Sequence, residues 1–547
     1  MAFRLDESVA TVSAALAAAG EAEPDRLLVR VGHGAHTYAS MLAAAHELAA
    51  GLAVAVGVEP GSRVAVLSRS SLESVELFFA LASLGAINVP LNIFLKGEFL
   101  RYQLDDCRAE TLVVDREGYD TVLPILGTLP SLRHIVVIGS EAPIVDLKPS
   151  ATASIAVFGY DEVKQSAATT TRWWPVPAAT DIAAIMYTSG TTGMPKGCVL
   201  DQGYFVHIGH AHREFFGVET ADHCFTMLPL YHMGAYCTAV LPALVCGASI
   251  EVVPQFSASA FMPTAQAAAA TVLFGVGPAA QAILATPVIA GERDHSLRQA
   301  SFAPLSPEQQ VAFEQRFGVP VLCEGYGQTE CVPISCSSKG GPRKRGSVGR
   351  PVPWLEVDIV DGDDRPVAVG EVGEITVRPR VPHTMFREYW GKPDDTLETF
   401  RNLRHHTGDL GRLDDDGLLH IVDRKSDSLR RRGENVSSLE VEAALAGLPG
   451  LREVAIHAVP SPLGEDDIKV CLVLNREPPE ISVLFDFFKT NLPYYAIPRY
   501  VEFLDSLPRS AIGKVQKHLL RGRGVSAATL DLEALGYGVS RAERRGV

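Results

Sequence analysis

Over its first 180 residues the chain alternates short apolar runs with amphipathic helical patterns, and this rhythm limits the fold more than any other feature. Leu27–Val31, Val64–Ser68, Ile87–Leu91, Thr111–Val114 and His134–Ile138 read as strands, whereas Tyr38–Ala55 and Leu72–Leu84 read as helices. Strands that alternate with helices predict a mostly parallel α/β sheet, because each crossover helix packs on a sheet face. The rhythm continues through Ile182–Tyr187, Ala248–Val253, Thr271–Phe274 and Val319–Glu324. The alanine-rich tract Ala265–Ala270 reads as ordinary helix.

From Gly346 to Val422 the pattern changes to short alternating strands such as Glu374–Arg378 and Leu418–Val422. Turn residues Asp361-Gly362, Gly370 and Asp416-Gly417 separate them, which predicts a small antiparallel barrel or sheet. A charged stretch, DRKSDSLRRRGEN, follows Val422, and a new amphipathic pattern begins at Ser438. That shift marks a domain boundary before a small α+β domain, within a chain of 547 residues that is long enough for two to four domains. The residues after Lys514 carry no motif and are expected to be partly disordered.

A net charge of −15 argues against nucleic acid as a partner, since phosphate backbones are met by basic faces. The nine cysteines are scattered without a CxxC pair, which suits reduced thiols in the cytoplasm better than a disulfide framework or a zinc site. The N-terminus lacks the basic start and unbroken apolar run of a signal peptide. Phe225–Ile250 has membrane-span length and no charged side chain, but Pro229, His232, Gly234, Pro242 and Gly247 interrupt it. A buried strand, loop and helix is the expectation there, with no stable membrane insertion.

The strongest local signal is Tyr187-Thr-Ser-Gly-Thr-Thr-Gly-Met-Pro-Lys-Gly197, directly after a strand-like run. Gly190 and Gly193 let backbone N–H groups close around phosphate oxygens, Thr188, Ser189, Thr191 and Thr192 add hydroxyls, and Lys196 adds a compact cation. No Gly-Lys-Ser/Thr closes the loop, so it is not a Walker loop, and no kinase motif occurs.

This loop resembles the signature of the adenylate-forming (AMP-binding) superfamily, and four further elements follow in the family's order. Glu324-Gly325-Tyr326-Gly-Gln-Thr329-Glu330 resembles the second signature, in which Tyr326 would lie on adenine, Thr329 would contact phosphate and Glu330 would hold Mg²⁺. Thr407-Gly-Asp409 resembles the ribose-binding carboxylate, and Arg424 the arginine that faces the nucleotide. Leu507-Pro-Arg-Ser-Ala-Ile-Gly-Lys514 resembles the C-terminal motif whose lysine enters the site for adenylation. Taken singly, Glu330 could begin a helix, Asp409 cap a turn and Lys514 be a solvated charge; the joint order carries the reading.

The resemblance implies an N-terminal domain over 1–422, built of two α/β sheet subdomains and a small β-barrel. A hinge over 423–426 and a mobile α+β C-terminal domain over 427–547 would complete it. Ser426 stands where relatives carry Asp or Lys. The implied reaction uses ATP to convert a carboxylic acid into an acyl-adenylate, with coenzyme A as acyl acceptor. Leu228-Pro-Leu-Tyr-His232-Met-Gly-Ala235 resembles the acyl-CoA synthetase branch, with His232 between the acyl pocket and thiol tunnel, although His232 taken alone reads first as a satisfied core histidine. Met233, where amino-acid-activating relatives carry Asp, disfavours an amino-acid substrate. Arg430-Arg431-Arg432-Gly433 resembles the coenzyme A-binding turn, or is a solvated face. The wording RRRGENVSSLEVE is most similar to crotonobetaine/carnitine and short- or medium-chain acyl-CoA ligases.

Phe302 stands where relatives carry a pocket-lining glycine, which predicts a reshaped acyl pocket. A carrier-protein thiol or another nucleophile as acceptor remains the alternative, as does a binding protein that has lost the chemistry. Retention of Lys196, Thr329, Glu330, Asp409, Arg424 and Lys514 argues against such loss. The sequence is silent on oligomeric state and allows a homodimer.

Overall fold

The computed structural model describes residues 3–139, 155–169, 175–188, 194–303, 305, 307–337, 343–424, 428–432, 434–461, 464–508, 515 and 517–539. The alternating pattern builds two seven-stranded sheets. One has the spatial order Ala156–Gly159, His134–Val137, Thr111–Val114, Arg63–Leu67, Ile87–Pro90, Ile182–Thr188 and Lys196–Asp201. Its first six strands are parallel neighbours. Every residue of Ile87–Pro90 and Thr111–Val114 is buried, as strands covered on both faces must be.

The other sheet runs Val321–Leu322, Gln299–Ala303, Val272–Val276, His223–Thr226, Ser249–Val252, Leu27–Val31 and Gly34–Thr37. Its pairings are parallel except the last, an antiparallel edge. Leu27–Val31, an early strand, therefore completes a sheet whose other parallel strands come after residue 222.

Local chemistry explains the element ends. Ser71 caps Leu72–Leu84 by accepting from Ser74 N, and Gly85 ends that helix at φ 72°. The alanine tract stops earlier than expected: the helix is Phe261–Ala267, and Ala269 turns to φ 52°. Ala269 N and Ala270 N return to Gln266 O and Ala265 O, the paired bonds of a Schellman ending. Val319–Glu324 shortens to the strand Val321–Leu322, because the chain leaves the sheet for a hairpin at Gly325.

The apolar stretch Phe225–Ile250 forms a strand end, the helical segments Met233–Ala235, Tyr236–Val240 and Leu241–Cys246, and the start of the next strand, all within the core. The fully buried Tyr38 hydroxyl lies 2.9 Å from Ala243 O and 2.8 Å from Ala248 O, tying that helix end down. Among the described residues one helical run, Tyr38–Val56, is long and apolar enough to cross a membrane; Tyr38, Met41, Leu48 and Leu52 are fully buried.

The change of pattern after Gly346 corresponds to a four-stranded antiparallel sheet in the order Leu355–Val360, Gly373–Pro379, His405–Leu413, Leu419–Arg424. A three-stranded sheet, Gly325–Gln328, Cys331–Cys336 and Arg350–Pro351, closes over the same core of Ile334, Val357, Ile375, Val377 and Leu419.

Two compact units emerge: Met1–Ile93 with Asp106–Met186 and Gly197–Asp423, and Phe94–Asp105 with Tyr187–Lys196 and Arg424–Val547. The second contains a sheet of Leu451–Pro460, Asp466–Leu474, Tyr500–Phe503 and Leu530–Asp531. At its centre Lys469, with no exposed side-chain surface, pairs with buried Glu502. The expectation of disorder after Lys514 fails for 517–539. Leu530–Asp531 pairs with Tyr500–Val501, Leu532 is buried, and the Tyr537 ring sits 5.6 Å from that of Phe485.

Candidate active site

The second signature is a hairpin. Gly325–Gln328 pairs antiparallel with Cys331–Cys336, and Thr329-Glu330 forms its tip. Gly327 is required there: a Cβ would come within 2.8 Å of Val332 and 3.0 Å of Cys331 O. Tyr204, buried in the helix Gln202–Phe216, pins the tip, since its hydroxyl donates to Thr329 O at 3.1 Å and accepts from Val332 N at 3.0 Å. Glu330 is buried, its backbone O accepts from Phe386 N at 2.7 Å, and Oε1 accepts from the Tyr389 hydroxyl at 2.9 Å. Burial and the nearby Glu330 charge push the Tyr389 phenol well up, so it stays a donor.

Thr407-Gly408-Asp409 lies in the strand His405–Leu413, where the register against Gly373–Pro379 slips. Gly408 takes φ 71°, and this bulge aims Asp409 toward the hairpin. Asp409 Oδ2 accepts from Tyr326 Oη at 2.6 Å and from Gln328 Nε2 at 2.8 Å. The sequence-predicted Tyr326 and Asp409 are thus brought together, and Glu330 stands on the same hairpin.

In the second unit, the phosphate-loop candidates Thr188 and Lys196 end one strand and begin the next, with Thr188 Oγ1 donating to Lys196 O at 3.4 Å. The Tyr102 hydroxyl donates to Pro195 O at 3.1 Å. Ser189, Gly190, Thr191, Thr192, Gly193, Gly433 and Lys514 lie outside the described residues, as does the side chain of Arg424.

His232 is half-buried, ahead of the short turn Met233–Ala235, with its ring 4.7 Å from that of Tyr231. Ser70 Oγ accepts from Leu230 N at 3.1 Å and anchors this segment just beyond the end of Arg63–Leu67, the central strand of the first sheet. Phe302 is fully buried against Phe313, with ring centroids 4.9 Å apart. It occupies space made by Gly275, where a Cβ would lie 2.6 Å from its ring.

Two of the singled-out side chains are already paired within the protein. Glu324 is almost fully buried and bound by the Arg343 guanidinium through both oxygens, so its charge is already met within the protein. Arg431 is neither solvated nor an open anion site: it is buried, with Nε 3.2 Å from Asp467, and bonded to Ile497 O. Arg432 turns at φ 56° and approaches Glu533 at 3.3 Å.

Sequence reasoning missed Gln328, Tyr389 and His405. Gln328 lay inside a signature already quoted, and its combined donor and acceptor capacity was the available signal. Tyr389 and His405 gave none, because they matter only through contacts made across 59 and 77 residues. Among the described residues no group of three or more His, Cys, Asp or Glu side chains is arranged to hold a metal ion.

The model of the AMP-binding enzyme family matches residues 16–390, and that of the AMP-binding enzyme C-terminal domain matches 440–514. A crotonobetaine/carnitine–CoA ligase of Salmonella paratyphi A is 31% identical over 471 residues, covering 85% of this chain and 89% of its own. Among solved structures, the anthranilate CoA ligase AuaEII in complex with anthranoyl-AMP matches at 27% identity and TM-score 0.70, over 94% of this chain and 96% of that one. An o-succinylbenzoate CoA synthetase from Bacillus subtilis matches at 25% identity and TM-score 0.78, over 94% and 99%.

Proposed function

We infer the reaction from the premise that the chain belongs to the AMP-binding enzyme family. It is an AMP-forming acid–thiol ligase. A carboxylate oxygen attacks the α-phosphorus of ATP and pyrophosphate leaves. The thiol sulfur of coenzyme A then attacks the acyl carbon, AMP departs, and the thiol proton is released. The first step brings two anions together, so catalysis is mainly positioning and charge neutralisation.

The observation that carries the residue assignment is the convergence of Tyr326 and Gln328 on Asp409, beside the buried tip that presents Glu330. Asp409 takes the ribose hydroxyls, the Tyr326 ring supports the adenine, and Thr329 meets phosphate. Lys196 and the hydroxyl loop from Thr188 to Gly193 neutralise the leaving pyrophosphate. Glu330 suits Mg²⁺, because a hard carboxylate oxygen together with phosphate oxygens is how that ion is commonly held. Mg²⁺ bound there would neutralise phosphate charge. Lys514 stabilises the carboxylate and α-phosphate during adenylation, and the segment 423–426 with Arg424 acts as the hinge between the two half-reactions. His232 lies between acyl pocket and thiol, and Gly433 lets the pantetheine arm pass close to the backbone. The nine free cysteines support a reducing, cytoplasmic setting.

The substrate is a small or medium carboxylic acid without an α-ammonium, in keeping with Met233 in the His232 motif. Pyrophosphate release across a panel of acids, with and without coenzyme A, tests the whole reading. Release that needs one acid and yields AMP and a thioester is expected. Acid-dependent release indifferent to coenzyme A would transfer the acceptor role to a carrier-protein thiol or another nucleophile. Absence of release with every acid, together with no ATP binding, would refute the adenylating activity.

A further inference from the structure

A line of polar contacts runs from Asp409 through Gln328 to His405, a residue to which the reaction above gives no role. Gln328 fixes where the hydrogens lie. Its Nε2 faces Thr407 O at 2.9 Å and Asp409 Oδ2 at 2.8 Å, and both can only accept. The amide oxygen must then point the other way, where His405 Nε2 stands 3.3 Å from it. That ring nitrogen therefore carries the hydrogen, and Nδ1 is the acceptor.

Nδ1 lies 3.3 Å from Thr399 Oγ1, whose hydrogen it shares with His406 O, also at 3.3 Å. His405 is only 1% exposed, and the Phe386 and Phe400 rings lie 5.4 and 5.8 Å from its own. Burial pushes its imidazole down to about 4, so it is neutral at physiological pH and held in one tautomer.

We propose that His405 is a positioning residue for the nucleotide, holding Asp409 in place through Gln328. The inference rests on the adenylating reading, in which Asp409 faces the ribose. A neutral imidazole suits the task because one ring joins a donor to an acceptor across a fixed width. A phenyl ring would fill the same volume but would leave Gln328 Oε1 without its donor. The amide could then rotate, and Asp409 Oδ2 would lose the Gln328 donor that stands beside the Tyr326 hydroxyl.

The test compares His405→Phe, which keeps bulk, with His405→Gln, whose amide N–H restores a donor toward Gln328. Calorimetry without acid substrate gives the affinities for ATP and for 2′-deoxy-ATP, and melting temperatures are recorded alongside. His405→Phe is expected to weaken ATP binding about tenfold, the equivalent of one hydrogen bond to a charged group. Binding of 2′-deoxy-ATP should weaken less, so the preference for the ribonucleotide shrinks, and His405→Gln should recover most of it. Wild-type affinities in His405→Phe would overturn the proposal. So would an equal loss for both nucleotides in both variants that tracks the melting temperature, the mark of a purely structural role. Wild-type protein that binds no ATP would overturn the adenylating reading first, and this inference with it.

Discussion

Replacing Glu502 with Gln perturbs the buried ion pair at the centre of the C-terminal sheet. Lys469 has no exposed side-chain surface, Glu502 has 3%, and the ammonium also donates to Gly524 O at 2.6 Å. Removing the carboxylate charge strands that ammonium in a low-dielectric core, which costs about 3–5 kcal/mol. Substituting both partners, as Lys469→Met with Glu502→Leu, removes the stranded charge and should cost far less. Hydrogen exchange read on Asp466–Leu474 reports local opening of the strand that carries Lys469. A loss of about 3 kcal/mol speeds exchange through opening by roughly 150-fold. Burial alone would raise the Glu502 carboxyl, but its bond to Lys469 and the adjacent charge outweigh this and hold it below 4.5. Its stabilisation is therefore present above 4.5 and drains away as pH falls through the lowered value. Wild-type opening should increase in acid, after correction for intrinsic exchange, whereas Glu502→Gln should lack that component. Exchange in Glu502→Gln within about threefold of wild type would refute the reasoning, as would a double variant no better than the single one.

Glu76 offers a second acid-sensitive anchor. Burial opposes its charge, yet bonds from His36 at 2.8 Å, Lys164 at 2.9 Å and Tyr160 at 2.8 Å hold it down to about 2. Its contribution, about 3 kcal/mol, is present above 4.5 and lost toward about 2; Glu76→Gln should lower the urea midpoint at neutral pH and flatten the acid limb. Tyr389→Phe removes the donor to Glu330 and should raise the Mg²⁺ needed for half-maximal pyrophosphate release by about tenfold. ATP affinity measured without Mg²⁺ should change little. Gly275→Ala forces a Cβ to 2.6 Å from the Phe302 ring and should cost about 1–3 kcal/mol, relieved by adding Phe302→Leu and read from melting temperatures. Long saturated acids such as palmitate should be poor substrates; efficient turnover would sink the pocket reading built on Phe302.

Periodicity located most of the scaffold. Leu27–Val31, Thr111–Val114 and Leu72–Leu84 have their expected bounds, because burial on both faces and clear caps leave a strong local signal. Sheet membership was not legible: no local pattern says that Leu27–Val31 pairs with Ser249–Val252. The signatures located Tyr326, Glu330 and Asp409, but not the bond between Tyr326 and Asp409, which spans 83 residues. Arg431 misled because a charge run reads as solvated, whereas Asp467 and Ile497 O, distant in sequence, absorb its charge inside the core. The alanine tract misled in a smaller way: propensity favours helix throughout, and a two-bond ending at Ala269 and Ala270 overrides it.

The placement of Leu27–Val31 beside Ser249–Val252 has a consequence for how the protein is made. On a ribosome moving at about 5–20 residues per second, the early strand waits roughly 10–45 s for its partner to be synthesised. Until then Leu28 and Val29, fully buried in the finished protein, have no sheet to enter, and an apolar edge is open to wrong pairing. A slow, long-range closure of this kind makes soluble yield sensitive to elongation speed and to chaperones that shelter the nascent N-terminus. Variants that weaken Leu27–Val31 should therefore reduce yield during synthesis more than they reduce the stability of molecules that have already folded.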